Sequence, residues 1–313
     1  MADHSSSVRE AKPMTAQIRG TLQFDESMAR HCSWRCGGSA KRYFVPADLA
    51  DIQTMLQQLP DDEHILWLGL GSNLLVRDAG FDGTVIATQN AMKQLELKEN
   101  NSVYVGAGIA DAKLARFTTR NQLGGGEFFA GIPGLIGGAL AMNAGAFGGE
   151  TWRQVSSVET LDRSAVLHTR TPDEYEIAYR HVQLKNAKQE EWFVAATMHF
   201  EKQDAAVGKD VLDIKQLLAK RAATQPTGSA SCGSVFRNPA NDHAARLIES
   251  CGLKGRRIGG AVVSEKHANF IINSGDASAA DIERLIESVQ LTVLEECGVE
   301  LITEVRIVGE KES

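Results

Sequence analysis

Two glycine-bearing segments are where the sequence first offers chemistry. Gly69, Gly71, Ser72 and Asn73, followed by Leu74, lie between the apolar runs Ile65 to Leu68 and Leu74 to Val76. Glycine and serine there let successive backbone N–H groups close on an anion with no Cβ in the way. The same residues also suit a tight hairpin turn. Gly-x-Gly-x-x-Leu lacks the third glycine of a dinucleotide fingerprint and does not open a helix, and no Walker sequence occurs, which disfavours Rossmann and P-loop sites. The second segment is denser, with ten of the chain's 29 glycines between Gly124 and Gly149. In it Gly131-Ile132-Pro133-Gly134 leads to Gly137, Gly138 and the run Met142-Asn143-Ala144-Gly145-Ala146. Pro133 can open a helix, where its missing N–H costs nothing. Each glycine inside that helix weakens it by about 1 kcal/mol relative to alanine. Something must compensate: a large flat ligand against the backbone with its pyrophosphate near the helix N-terminus, or close packing on another element.

Bulk properties narrow the class. The chain has 313 residues, 43% of them hydrophobic, and a formal charge of -7. It is long enough for two or three compact domains. The negative charge argues against nucleic acid or an anionic membrane as partner. No apolar run reaches the roughly 20 residues needed to span a bilayer, and the polar N-terminus lacks a signal-peptide core. A cytoplasmic chain is expected, with no obligate protein partner indicated. Five scattered cysteines without a Cys-x-x-Cys pair, and histidines without a ligand-type spacing, point to neither a disulfide framework nor a metal site.

The elements that must position these segments alternate in type. Tyr43 to Val45 reads as a strand, and Asp48 as the N-cap of a helix whose Leu49, Ile52, Met55, Leu56 and Leu59 share a face before Pro60 stops it. Strands follow at Ile65–Leu68, Leu74–Val76 and Thr84–Ala87. Leu95–Leu97 and Val103–Val105 form a hairpin around Asn100-Asn101, and Asp111 caps a helix from Ala112 to about Asn121. Strands resume at Val155–Leu161, Val166–Thr169 and Phe193–Phe200. Beyond about residue 205 the pattern turns helical: Val211, Leu212, Ile214, Leu217 and Leu218 share one face, and so do Ile282, Leu285, Ile286, Val289 and Val293 behind a Ser278/Asp281 capping box. Between them Asn269–Ile272 reads as a strand, and Leu301–Val308 as the last, its alternation putting Glu304 and Arg306 on one face with Ile302 and Val308. The fold class is α+β. We expect a polar tail (1–20), two α+β subdomains (21–88 and 89–204), a third lobe (205–300), and a final strand (301–313) returning to the first half.

With these motifs in view, the chain resembles the UDP-N-acetylenolpyruvoylglucosamine reductases from about Ser33 to Val308. The resemblance rests on Ser33-Trp34-Arg35-Cys36-Gly37-Gly38, the turn Leu68 to Asp78, the glycine segment, and Tyr179-Arg180. It continues through Cys232-Gly233-Ser234-Val235-Phe236-Arg237-Asn238-Pro239, Ala245-Arg246-Leu247-Ile248, Gly252-Leu253-Lys254-Gly255, Val263-Ser264-Glu265-Lys266-His267-Ala268-Asn269-Phe270 and Glu304-Val305-Arg306. It implies a vanillyl-alcohol-oxidase-type FAD-binding half, bound FAD, NADPH as co-substrate and UDP-N-acetylglucosamine enolpyruvate as substrate. It further implies that Gly69, Gly71, Ser72, Asn73, Leu74, Gly131, Ile132, Pro133, Gly134, Gly137, Gly138, Met142, Asn143, Ala144, Gly145, Ala146 and Arg306 hold FAD. Arg180, Ser234 and Glu304 are then catalytic, and Tyr179, Arg237 and Asn238 meet substrate. Only Ala240 to His243 separate Pro239 from the next helix, as in the family's second type, which lacks a tyrosine-bearing loop. Two departures stand out: Arg237 where lysine is usual, and Leu301-Ile302-Thr303-Glu304 for the commoner Leu-Glu-Pro-Glu.

The implied chemistry suits these side chains. Hydride delivered to the enolpyruvyl CH₂ carbon builds negative charge toward the substrate carboxylate, which the Arg180 guanidinium can stabilise. A serine hydroxyl, Ser234, can protonate the basic carbon that results, whereas a carboxylic acid would be ionised at neutral pH. Glu304 can orient Arg180 or assist the proton transfer. Arg237, Arg221 and Lys254 are candidates for the UDP phosphates. The alternatives are another FAD-dependent oxidoreductase of this fold, or a non-redox protein binding a sugar nucleotide.

Overall fold

The computed structural model describes residues 17–187, 189–202 and 214–311. Most of the tail, the break near residue 205, and Val211 and Leu212 lie outside the described residues.

Two sheets form the first two-thirds of the chain. Strands β1 (Thr21–Ser27), β2 (Ser39–Val45), β3 (Ile65–Leu68), β4 (Leu74–Val76) and β5 (Phe81–Ala87) surround helix α1 (Leu49–Gln58). The first sheet runs β1-β2-β5-β3, with β2, β5 and β3 parallel and β1 an antiparallel edge. Sequence patterning misses β1, because an edge strand with most side chains in solvent shows no apolar alternation. Helix α1 forms as its signals dictate. The Asp48 carboxylate accepts the Asp51 N–H at 3.0 Å, and Ile52, Met55 and Leu56 pack with Phe44 and Ile86.

The second sheet is antiparallel. It uses β6 (Leu95–Leu97), β7 (Ser102–Gly106), β8 (Val155–Asp162), β9 (Leu167–Arg170) and, after the separate hairpin β10 (Tyr175–Ala178) and β11 (His181–Leu184), β12 (Glu191–His199). Its order is β9-β8-β12-β7-β6. The β6–β7 turn places Asn100 and Asn101 at φ 55° and 57°, left-handed values that asparagine tolerates. Helices α2 (Asp111–Arg120) and α3 (Ile136–Ala141) pack Leu114, Ile136 and Leu140 against Val103, Val105 and Met198.

The third lobe contains α4 (Ile214–Thr224), α5 (Ala244–Ser250), a small sheet of β13 (Arg257–Ile258), β14 (Ala261–Val263) and β15 (Ile271–Asn273), and α6 (Ala279–Cys297). The Ser278/Asp281 capping box is present, and Ile282, Leu285, Ile286, Val289 and Val293 are buried as one stripe. Helix α6 is capped a second time from the first lobe: the Asp78 carboxylate accepts the N–H groups of Ala279 (3.0 Å) and Ala280 (2.8 Å). Strand β16 (Arg306–Val308) then lies parallel to β4. Among the described residues no helix is long and apolar enough to cross a membrane.

Several expectations are corrected. Pro133 does not open a helix: a bend at Gly134 and a bridge from Leu135 to Ala110 intervene, and α3 starts only at Ile136. Asp111 is the first helical residue, not the cap, and both its carboxylate oxygens are buried without a partner. The strand expected at Asn269–Ile272 is Ile271–Asn273, because the Asn269 side chain bonds both the N–H and the C=O of Phe236. The last strand is short. Residues 302–304 pair instead with the 235–237 segment, the Val235 carbonyl accepting the N–H groups of both Glu304 and Val305, which ends the regular alternation. Leu218 is exposed and does not share the buried face of Leu217.

Candidate active site

Arg180 sits at the tip of the β10–β11 hairpin. Ala178 pairs with His181, so Tyr179 and Arg180 make a two-residue turn, and Arg180 takes φ 54°. A left-handed arginine costs about 1–2 kcal/mol, and three hydrogen bonds hold it there. Its Nε donates to Glu304 Oε1 at 3.1 Å, Nη1 to the Asn143 carbonyl at 3.1 Å, and Nη2 to the Gly145 carbonyl at 2.9 Å. The Tyr179 ring lies 4.9 Å from the guanidinium and is itself largely exposed. Arg180 and Glu304 are both mostly buried, at 15% and 11% side-chain exposure. Burial raises the Glu304 carboxyl above the ordinary glutamate range, opposed by the charges of Arg180 and, more weakly, Arg237.

Ser234 arrives from the third lobe. Its neighbour Val235 donates its N–H to the Asn269 carbonyl (2.9 Å) and accepts the Glu304 N–H (2.8 Å). The serine is thereby held one residue from the strand that carries Glu304. Among the described residues its hydroxyl has no hydrogen-bond partner. Asn73 ties in the glycine turn: its Nδ2 donates to the Glu304 carbonyl at 3.1 Å and to Met142 Sδ at 3.6 Å, and its carbonyl accepts the Arg306 N–H. Asn143 is committed to the scaffold, donating to the Ala178 carbonyl and accepting from the Trp152 N–H.

Six of the cofactor candidates line two cavities, and the rest line neither. Gly69, Gly137, Gly138 and Arg306 line one of about 240 Å³, walled by Trp67 and Trp192, whose rings stack at 5.4 Å. A Cβ built on Gly138 would meet nothing within 4 Å. This bare helix face is the cradle a planar group needs, so the residues fit FAD. Ser72 and Pro133 line a second cavity of about 450 Å³ with Arg35, Arg221 and Gly233, the residue before Ser234.

The glycine-rich segment behaves less simply than the sequence analysis expects. A Cβ on Gly131 would strike the Phe147 ring at 2.4 Å, one on Gly134 the Asp111 carboxylate at 2.8 Å, and one on Gly149 the Phe128 ring at 2.4 Å. Most of the bareness serves packing within the protein, the alternative the sequence left open. Nor is the N-terminus of α3 a free anion site, because Ile136 and Gly137 already donate to the carbonyls of Ile109 and Ala107.

The substrate candidates part company. Arg237 is half-buried near Glu304, and its Nε has no hydrogen-bond partner among the described residues. Asn238 is exposed, and its Oδ1 accepts the first N–H of α5, from Ala244, at 3.1 Å. Arg221 lines the larger cavity, desolvated enough that burial lowers its pKa. Lys254 is paired with Glu249 at 2.7 Å on the surface and joins neither cavity.

Two positioning residues escaped the sequence reading. Asn269 fixes the Ser234 loop, and Cys232 Sγ donates to the carbonyls of Gly71 (3.6 Å) and Leu74 (3.4 Å), docking that loop on the glycine turn. Asp111 lies beneath Gly134 and is driven well above the ordinary aspartate range by burial. Asn269 and Cys232 stand inside the motifs that carry the resemblance, but their type alone does not reveal a backbone-holding role.

Comparison with known proteins identifies the family. Residues 225–308 match the model for the C-terminal domain of UDP-N-acetylenolpyruvoylglucosamine reductase, and residues 40–169 match an FAD binding domain. The UDP-N-acetylenolpyruvoylglucosamine reductase of Methylococcus capsulatus is 54% identical over 307 residues, 98% of this chain and 99% of that one. That of Alkalilimnicola ehrlichii is 55% identical over 294 residues, 94% of this chain and 97% of its own. The crystal structure of the enzyme from Thermus caldophilus superposes with a TM-score of 0.75 at 29% identity, covering 93% of this chain and 99% of that one. The chain therefore belongs to the UDP-N-acetylenolpyruvoylglucosamine reductase family: it is an FAD-dependent oxidoreductase of α+β fold, using NADPH to reduce the enolpyruvyl sugar nucleotide in peptidoglycan synthesis.

Proposed function

We propose that Arg180, Ser234 and Glu304 carry the reduction of UDP-N-acetylglucosamine enolpyruvate to UDP-N-acetylmuramate, with the larger cavity receiving the sugar nucleotide. The observation that carries this reading is the Arg180 guanidinium, gripped by Glu304 and by the Asn143 and Gly145 carbonyls within reach of the loop that bears Ser234. FAD would be held along the bare face of α3 by Gly69, Gly137, Gly138 and Arg306, and would supply the hydride, drawn from NADPH, that the enolpyruvyl CH₂ carbon needs. As charge builds toward the substrate carboxylate, the N–H groups of Arg180 left over from this grip stabilise it. The Ser234 hydroxyl gives its proton to the carbon bearing the ether oxygen. Glu304 keeps the guanidinium in one orientation, Arg221 meets phosphate oxygens in the cavity, and Arg237 meets phosphate or carboxylate oxygens beside Glu304. We expect NADPH and the sugar nucleotide to react in turn, a ping-pong order.

The test separates the half-reactions. NADPH should bleach the yellow protein, and the enolpyruvyl sugar nucleotide should restore its colour. In Ser234→Ala the bleaching should persist at the parental rate while reoxidation by substrate slows roughly 10²–10⁴-fold. Equal slowing of both half-reactions removes Ser234 as proton donor, and a colourless protein removes the redox reading.

A further inference from the structure

We propose that Cys251 and Cys297 form an oxidisable dithiol site, which closes into a disulfide joining the end of α5 to the end of α6. Cys251 is the C-cap of α5 and Cys297 the last residue of α6. Their sulfurs lie 3.5 Å apart across 46 positions of sequence, and both residues are half-buried, open to a small reagent. Nothing in the reduction of the sugar nucleotide uses them. A disulfide needs the sulfurs at about 2.05 Å, so closure requires the two sulfur atoms to approach by only about 1.5 Å. The other three cysteines behave differently. Cys32, Cys36 and Cys232 are buried at 5%, 7% and 2% exposure, and burial pushes each thiol up to about 12.

The co-reactant is a low-molecular-weight disulfide such as oxidised glutathione. Burial, followed by the neighbouring Cys297 thiol, pushes the Cys251 thiol up to about 11, and either thiol can open the exchange once it has lost its proton. Where Cys297 does so, its thiolate attacks one reagent sulfur, breaks the reagent S–S bond and expels one glutathione thiolate. Cys251 then loses its proton and attacks the protein sulfur of the mixed disulfide, forming the internal S–S bond and expelling the second glutathione. The protein sulfurs give up two electrons, the reagent takes them, and the two protons end on the released thiols. Closure therefore quickens as pH rises above neutral. The staple would brace α5, whose first N–H is held by Asn238 beside the Ser234 loop.

The experiment incubates the flavin-loaded protein with oxidised glutathione, then counts thiols under denaturing conditions and maps cross-linked peptides by mass spectrometry. Two of the five thiols should be lost, the mass should fall by two hydrogen atoms, and a single Cys251–Cys297 peptide pair should appear and vanish on reduction. Cys251→Ser, with flavin retained, should stop at a mixed disulfide on Cys297, and Cys297→Ser should give no cross-link. Persistence of all five thiols where the unfolded chain oxidises overturns the proposal, as does a cross-link at Cys32, Cys36 or Cys232.

Discussion

Arg180 is useful because of how it is held as much as because of its charge. Its planar fork makes three divergent bonds that an ammonium group cannot copy. Arg180→Lys should keep FAD bound, as judged by the visible spectrum, and lower substrate-dependent turnover by about 10²–10³-fold, the size of one misplaced charge-stabilising donor. Unchanged turnover would take Arg180 out of the site. Glu304 sets a pH dependence with a definite sign. Its folded-state pKa lies above the ordinary value, so as pH falls it takes a proton earlier than a free glutamate, and Arg180 loses the acceptor at Nε. The acid limb of kcat should therefore sit above the usual carboxylate range, and Glu304→Gln should lower kcat and erase that limb. The same shift means that Glu304 supports folding most fully at low pH and less as pH climbs through its raised value, so the variant should also flatten that part of the stability profile. An acid limb that survives in Glu304→Gln assigns it to another group.

At the scale of elements, two glycines that look alike in sequence do opposite things. Gly71 has φ 60° and a Cβ there would lie 2.0 Å from the His31 carbonyl oxygen. Gly71→Ala should destabilise the fold by more than the roughly 1–2 kcal/mol of the left-handed conformation alone, read as a lower urea midpoint. Gly138 faces open space on α3. Gly138→Leu should purify without flavin absorbance and unfold at the midpoint of the flavin-stripped parent. If it retains FAD at full occupancy, the Gly138 face is not where the cofactor lies.

The whole molecule is held together across its lobes by a few buried polar bonds as well as by apolar packing. The Trp34 indole N–H donates to the Ile271 carbonyl at 2.8 Å, and Asn273 Nδ2 donates back to the Trp34 carbonyl at 2.8 Å. Trp34 is fully buried among Val263, Ile271 and Leu285. Trp34→Phe keeps much of the ring but leaves the Ile271 carbonyl unsatisfied, which should cost about 1–3 kcal/mol in urea unfolding. A loss no larger than that of an exposed tryptophan would show that the lobes do not depend on this bond.

What the sequence by itself determined is whatever has a local cause. Asp48 and the Ser278/Asp281 box name the starts of α1 and α6, Asn100-Asn101 names a hairpin turn, and the apolar stripe of α6 names its buried face, because caps, turns and periodicity act within a few residues. The order of several motifs likewise determined the family, and with it the cofactor and the reaction. Only the tertiary structure decided what each bare or charged position is for. A missing Cβ makes equal room for a ligand or for a neighbouring ring, and the sequence cannot tell Gly138 from Gly149. The β10–β11 hairpin has no glycine or asparagine to announce its turn, since Arg180 is held left-handed by partners from residues 143, 145 and 304. Those partners are distant in sequence, and their meeting is a property of the packed chain.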